Sequence, residues 1–135
     1  MKIVLDTNVF ISGVFFNGPP YQILKAWRDE KFEIVISKEI LEEYKRVGES
    51  LSIQFPQVTL NPILKFFAIK AELITTQHLP VPVCEDPDDD KFFACAIAGK
   101  SKLIISGDKH LLKVSGYQEI KVLKPKEFIN QYLTV

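Results

Sequence analysis

Four short runs of this chain are apolar almost throughout, and each is too short for a helix. They are Ile3-Val4-Leu5, Glu33 to Ile36, Lys102 to Ser106 and Ile120 to Leu123. A strand without polar–apolar alternation is covered on both faces, as in a parallel sheet wrapped in helices. The intervening stretches carry apolar residues at helical spacing. This predicts helices from about Tyr21 to Asp29 (Ile23, Leu24, Trp27), from Ser37 onward (Ile40, Tyr44, Val47) and from Asn61-Pro62 (Ile63, Phe66, Phe67, Ile69). Further helices are expected from Asp89 to Ala98, from Asp108 through Leu112 and from Pro125 to Tyr132. Pro20 suits a first helical turn, Ser37 is a natural N-cap, and Gly99 stops the fourth of these helices. Leu73 to Thr76 reads as another short strand, Gly48 to Pro62 as linker and turn, and Pro80 and Pro82 as loop or edge strand. Alternating strands and helices specify an α/β fold. The expectation is a three-layer sandwich: a mostly parallel central sheet of four to five strands with helices on both faces, in one domain over residues 1–135.

Two of the strand runs end in an aspartate. Asp6 follows Leu5, and Asp108 follows Ser106-Gly107. In open parallel sheets, ligands bind beyond the carboxyl ends of the strands, where both residues fall. A third acidic group, Glu85-Asp86-Pro87-Asp88-Asp89-Asp90, opens the alanine-rich helix. Asp6 and Asp108 can each be read as a helix N-cap or as a metal ligand; as ligands, Thr7 and Asn8 would orient the first carboxylate or a metal-bound water, and Ser106 would hydrogen-bond such a water or a phosphate oxygen. Glu43 lies on the apolar stripe of its helix, whereas Glu42 lies outward with Lys38, Glu39, Lys45 and Arg46. A carboxylate on a core-facing stripe is costly unless paired or metal-bound. Within the acidic run, Asp89 shares the face of Phe92 and Ala96, Asp90 is the second candidate, and Asp86 is an outer group. The run is not an EF-hand loop, because Lys91 and Ile97 stand where glycine and glutamate are required. Two carboxylates ~4 Å apart at an effective dielectric of ~20 repel by about 4 kcal/mol, so three or four together protonate or bind a cation. Oxygen donors of this kind select Mg²⁺ or Mn²⁺ over zinc, and such cations serve phosphate chemistry.

The bulk composition narrows the alternatives. With 17 basic and 17 acidic residues the net charge is +0, which excludes a surface coated in positive charge. Lys91, Lys109 and Lys113 are either local contacts for a nucleic-acid backbone or solvated helix faces. The cysteines, Cys84 and Cys95, have no metal-ligand companions and are expected to be reduced thiols. His78 and His110 each read as surface or capping residues, and no serine or cysteine is arranged with them for nucleophilic catalysis. No apolar run approaches the ~20 residues of a membrane helix, and the strand-like start leaves no signal peptide, so a cytoplasmic protein is expected.

The segments KIVLDTNVFISG, SKEILEEYKRV, DPDDDKFFACAIAG and LIISGDKHLL occur in the order and spacing of the PIN-domain family. Together they cover essentially the whole chain, which most resembles the branch of toxin components of toxin–antitoxin systems, relatives of the VapC toxins. The resemblance implies a ribonuclease dependent on Mg²⁺ or Mn²⁺, with a central parallel sheet between helices. It maps the family's acidic quartet onto Asp6, Glu43, Asp89 and Asp108, with Ser106 as the hydroxyl residue two positions before the fourth acid. It also implies an RNA substrate, an antitoxin partner and a homodimer. A haloacid-dehalogenase-like phosphatase also begins with a strand ending in aspartate, but it requires a second aspartate where Asn8 stands. A catalytically weak RNA-binding PIN module is the non-enzymatic alternative.

Overall fold

A computed structural model describes residues 1–133. The apolar runs form β1 (Lys2–Leu5), β2 (Glu33–Ser37), β4 (Leu103–Ile105) and β5 (Lys121–Leu123), and Glu72–Ile74 supplies β3. All neighbouring strands pair in parallel, in the order β3-β2-β1-β4-β5. The central strand is therefore the first in sequence. Its residues Ile3, Val4 and Leu5 are fully buried, as a strand covered on both faces requires.

Helices α1 (Thr7–Phe15) and α2 (Pro19–Arg28) lead from β1 to β2, and α3 (Lys38–Ser52) and α4 (Leu60–Lys70) lead from β2 to β3. The chain then crosses the sheet through a 3₁₀ turn (Pro87–Asp89) and α5 (Asp90–Ala98) to reach β4. Helix α6 (Lys109–Lys113) joins β4 to β5, and α7 (Pro125–Phe128) follows, widening into a π-helical turn over Ile129–Leu133. Connections run outward from β1 in both directions. Right-handed crossovers then place α1–α4 on one face of the sheet and α5–α6 on the other.

The structure departs from the sequence pattern in two instructive places. Residues Thr7–Phe15 show no amphipathic period, yet they form α1. Its buried residues are spread around the helix, Val9, Phe10, Ile11 and Phe15 among them, and it packs on both α2 and α3. Burial holds it in place of propensity, because β-branched residues and glycine are weak helix formers. Gly13 is the contact point: a Cβ there would lie 2.6 Å from Leu24 Cδ1 and 2.8 Å from the Pro20 carbonyl. The second departure is α3, which continues through Gly48 to Ser52 where a linker was expected. Gly48 is buried in that helix because Leu60 packs directly on it, 2.9 Å from where a Cβ would stand. Lesser shifts place β3 at Glu72–Ile74 instead of Leu73–Thr76 and start α5 at Asp90, one residue later than expected. The segment carrying Pro80 and Pro82 is loop.

The aromatic core supports the carboxyl end of β1. Phe10 stacks on Tyr44 with ring centroids 4.2 Å apart, and Phe67 meets Phe10 edge-on at 4.8 Å. The buried Tyr44 hydroxyl donates a hydrogen bond to the Leu5 carbonyl. This fixes the last peptide of β1 immediately before Asp6.

Candidate metal centre

The register of β1 and β4 pairs Leu5 with Ile105, so the next residues out, Asp6 and Ser106, stand side by side beyond the sheet. The ladder runs one step further: the Asp6 amide donates to the Ile105 carbonyl at 3.0 Å, and the Ser106 amide to the Leu123 carbonyl at 2.9 Å. Ser106 is fully buried, and its hydroxyl donates to Asp6 Oδ2 at 2.7 Å while accepting the Asp108 amide at 2.9 Å. One hydroxyl thus orients the first acid and the backbone of the last. The position is the topological switch point of the sheet, where connections leave β1 and β4 toward opposite faces and open a crevice.

Asp6 is 6% exposed and makes no side-chain cap bond to α1. Burial raises the pKa of its carboxyl, the Ser106 hydroxyl and the Thr7 amide pull it down, and the charges of Asp108 and Glu43 push it up again, for a net increase. Asp108 does cap its helix: it accepts the His110 amide at 2.8 Å through Oδ1.

The acidic run resolves into separate tasks. Asp86 accepts the Asp88 amide at 3.0 Å and caps the 3₁₀ turn. Asp88 takes the Lys91 ammonium at 2.9 Å, which lowers its pKa. Glu85 pairs with Lys113 at 3.2 Å and His110 at 3.3 Å. Asp90, the second candidate for the third acid, accepts the Val83 and Cys84 amides at 3.2 Å and 2.8 Å and ties the preceding loop to α5. The Asp89 carboxylate has no hydrogen-bond or ion-pair partner among the described residues. Burial, then the charges of Asp108, Asp86, Asp6 and Asp88, push its pKa from 3.8 up to about 6.

Glu43 reaches the same end of the sheet from α3. Its Oε1 accepts the Thr7 hydroxyl and its Oε2 takes the Lys91 ammonium, with Arg46 at 3.6 Å. Lys91 therefore fits neither expectation made for it: its side chain is 10% exposed and engaged by Glu43 and Asp88. Burial pulls its pKa down, but the hydrogen bonds it donates to Asp88 and Glu43, and the charges of those acids, outweigh this and raise it. Lys113 is on the surface with Glu85, and Lys109 is exposed at the start of α6. Asn8 is exposed, with no side-chain partner among the described residues, so the orienting role falls to Thr7 and Ser106.

Two contributors escape sequence reasoning. His110 was read as a surface or capping residue, yet its ring nitrogen and carboxylate oxygens of Asp89 and Asp108 all lie within 4.8 Å of one another. Its Nδ1 is 3.7 Å from Asp108 Oδ1. The only sequence signal for it is its place two residues after a strand-end aspartate. Tyr44 reads as core, and nothing in its helical spacing reveals the bond to Leu5. The two cysteines are buried and unbonded to each other, with burial pushing each thiol up to about 12.

The arrangement suits a hard divalent cation. Its donors are chiefly carboxylate oxygens, with the His110 ring beside them, Asp89 is unpartnered among the described residues, and a positive charge there relieves the repulsion from neighbouring acids that, after burial, raises Asp6 and Asp89. Asp89 and Asp108 would hold such an ion with His110 beside them; Asp6, the third expected ligand, stands at the adjoining strand end and is not part of that 4.8 Å group. Among the described residues, no helix is long and apolar enough to cross a membrane.

Comparison with known proteins agrees with this layout. The PIN-domain family matches residues 2–110, a span that contains Asp6, Glu43, Asp89 and Asp108. The chain is also similar to MJ1680, an uncharacterized protein of Methanocaldococcus jannaschii, at 34% identity over 143 residues, covering 98% of this chain and 92% of that protein. On these matches the chain belongs to the PIN-domain family, whose members are in general nucleases.

Proposed function

We propose that this protein is an endoribonuclease dependent on Mg²⁺ or Mn²⁺, and that it is the toxin component of a toxin–antitoxin pair acting as a homodimer. One observation carries the enzymatic reading. In a chain of this family, Asp6 and Asp108 stand at neighbouring strand ends with Asp89 beside Asp108 at the switch point of a parallel sheet, where burial first and then the charge of Asp108 raise the carboxyls of Asp6 and Asp89. An RNA phosphodiester is the substrate class, and the antitoxin is a separate protein that silences the site.

The residues divide the work. Ser106 holds Asp6 in one orientation and fixes the amide of Asp108, so the two acids keep a constant separation. Tyr44 pins the peptide before Asp6. Asp89 offers an oxygen that no other group among the described residues takes up. When bound, a divalent ion supplies charge neutralisation at the phosphate and acidification of the attacking water. Glu43, held by Thr7 and Lys91, flanks the cation-binding acids.

The test is cleavage of a labelled RNA by the purified protein with Mg²⁺ or Mn²⁺, with chelator, and with Asp6→Asn and Asp108→Asn variants. Cleavage requires the metal and disappears in both variants. Cleavage that survives both substitutions, or release of phosphate from small phosphoesters without RNA cleavage, refutes the assignment. The toxin role predicts growth arrest on expression that Asp108→Asn abolishes.

A further inference from the structure

Glu43 differs from the other three acids in already having a cation. Its Oε2 is bonded to the Lys91 ammonium, and that ammonium also reaches Asp88 at 2.9 Å. This pair is enclosed: the side chains of Lys91 and Glu43 are 10% and 13% exposed, whereas Arg46, the remaining positive group at 3.6 Å, is 73% exposed. The lysine is held at both ends, because it lies in the first turn of α5 directly after Asp90, whose carboxylate fastens that turn to Val83 and Cys84. On the other side of the site, the carboxylate of Asp89 is unpartnered among the described residues and shares a 4.8 Å cluster with Asp108 and His110, a cluster that includes neither Glu43 nor Asp6; of those two, only Glu43 is already engaged by a cation.

We infer that Lys91 is a built-in cation that takes the place of a second metal ion, so that the site holds a single divalent ion on Asp6, Asp89 and Asp108. Glu43 then positions Lys91 and does not ligate metal. The inference rests on the metal-dependent reading given above. An enclosed ammonium neutralises the carboxylate it touches and repels a divalent ion approaching the same oxygens, so occupancy by one excludes the other.

The test is titration of the full chain with Mn²⁺, followed by calorimetry and by the electron paramagnetic resonance signal of the free ion. Wild type and Lys91→Arg bind one ion, whereas Lys91→Met gains a second. Glu43→Gln changes the affinity of the single site far less than Asp108→Asn, which weakens it about tenfold or more. Two ions on the wild type, one ion on a folded Lys91→Met, or loss of affinity in Glu43→Gln equal to that in Asp108→Asn overturns the inference. If Lys91→Met does not fold, Glu43→Gln and Lys91→Arg decide by the same criteria. A folded wild type that binds no Mn²⁺ overturns the metal-dependent reading itself, and the inference with it; two ions overturn the inference alone.

Discussion

Asparagine at position 89 will make the metal-free protein more stable than the native chain, because Asp89 is a carboxylate held where its charge is unwelcome. Its pKa is raised from 3.8 to about 6 by burial and by Asp108, Asp86, Asp6 and Asp88. A carboxyl with a raised folded-state pKa favours folding while protonated. Its contribution is complete below the unfolded value and is lost as pH rises through about 6. Two units at about 1.4 kcal/mol each give an upper value near 3 kcal/mol. Asp89 is only half-buried, and solvent screening roughly halves that figure, leaving about 1–1.5 kcal/mol. Asparagine is neutral at every relevant pH and caps a helix as well as aspartate does, so the substitution removes the charge and little else. The assay is urea unfolding of both proteins in chelator across the acidic to neutral range. The two stabilities converge near the unfolded pKa and separate by about 1–1.5 kcal/mol at neutral pH, the variant being the more stable. Millimolar Mg²⁺ then stabilises the native protein and leaves the variant unmoved. A variant that is less stable at neutral pH, or a difference that does not change with pH, refutes the argument that like charges crowd this site.

Three further substitutions probe the supports of the site. Ser106→Ala strands the buried Asp6 carboxylate and the Asp108 amide together and costs about 2–3 kcal/mol, read by thermal unfolding, with cleavage falling in step. Tyr44→Phe deletes only the hydroxyl that holds the Leu5 carbonyl. It costs about 1–2 kcal/mol in chemical denaturation and lowers cleavage by misplacing Asp6, whereas a purely packing role for the ring leaves activity intact. Gly13→Ala drives a methyl against Leu24 and the Pro20 carbonyl and destabilises by about 1–3 kcal/mol through the α1–α2 contact. A neutral result in a urea melt contradicts that close approach.

The sheet was legible because apolar runs bounded by turn residues admit few placements. Ile3-Val4-Leu5 and Leu103-Ile104-Ile105 carry no polar residue, so they had to be interior strands, and the aspartates after them had to stand at strand ends. Helix α1 was illegible for the complementary reason. A helix whose buried residues are spread around it, with Asn8 its one exposed position, loses its amphipathic period, and a stretch rich in β-branched residues imitates a strand. Gly48 read as a break because glycine usually ends helices, whereas here it makes room for Leu60. The third acid turns on loop geometry. Asp89 and Asp90 both begin the helix, and what separates them is the path of Val83 and Cys84, whose amides bind Asp90. Lys91 was misplaced because charged residues usually face water, and the acid that draws it inward lies 48 positions earlier in the sequence.

The hydrogen bond between Ser106 and Asp6 joins residues 100 positions apart, and Asp6 directly follows β1, which precedes the other four strands in sequence. Until β4 has been synthesised, β1 has a neighbour on one side only, and Asp6 lacks both its ladder bond to Ile105 and its serine. Long-range pairing of this kind closes late in folding. A nascent chain short of β4 can form the Thr7–Glu43–Lys91 network but leaves Asp6 without Ser106 and Ile105, so the two halves of the site join only when β4 docks beside β1.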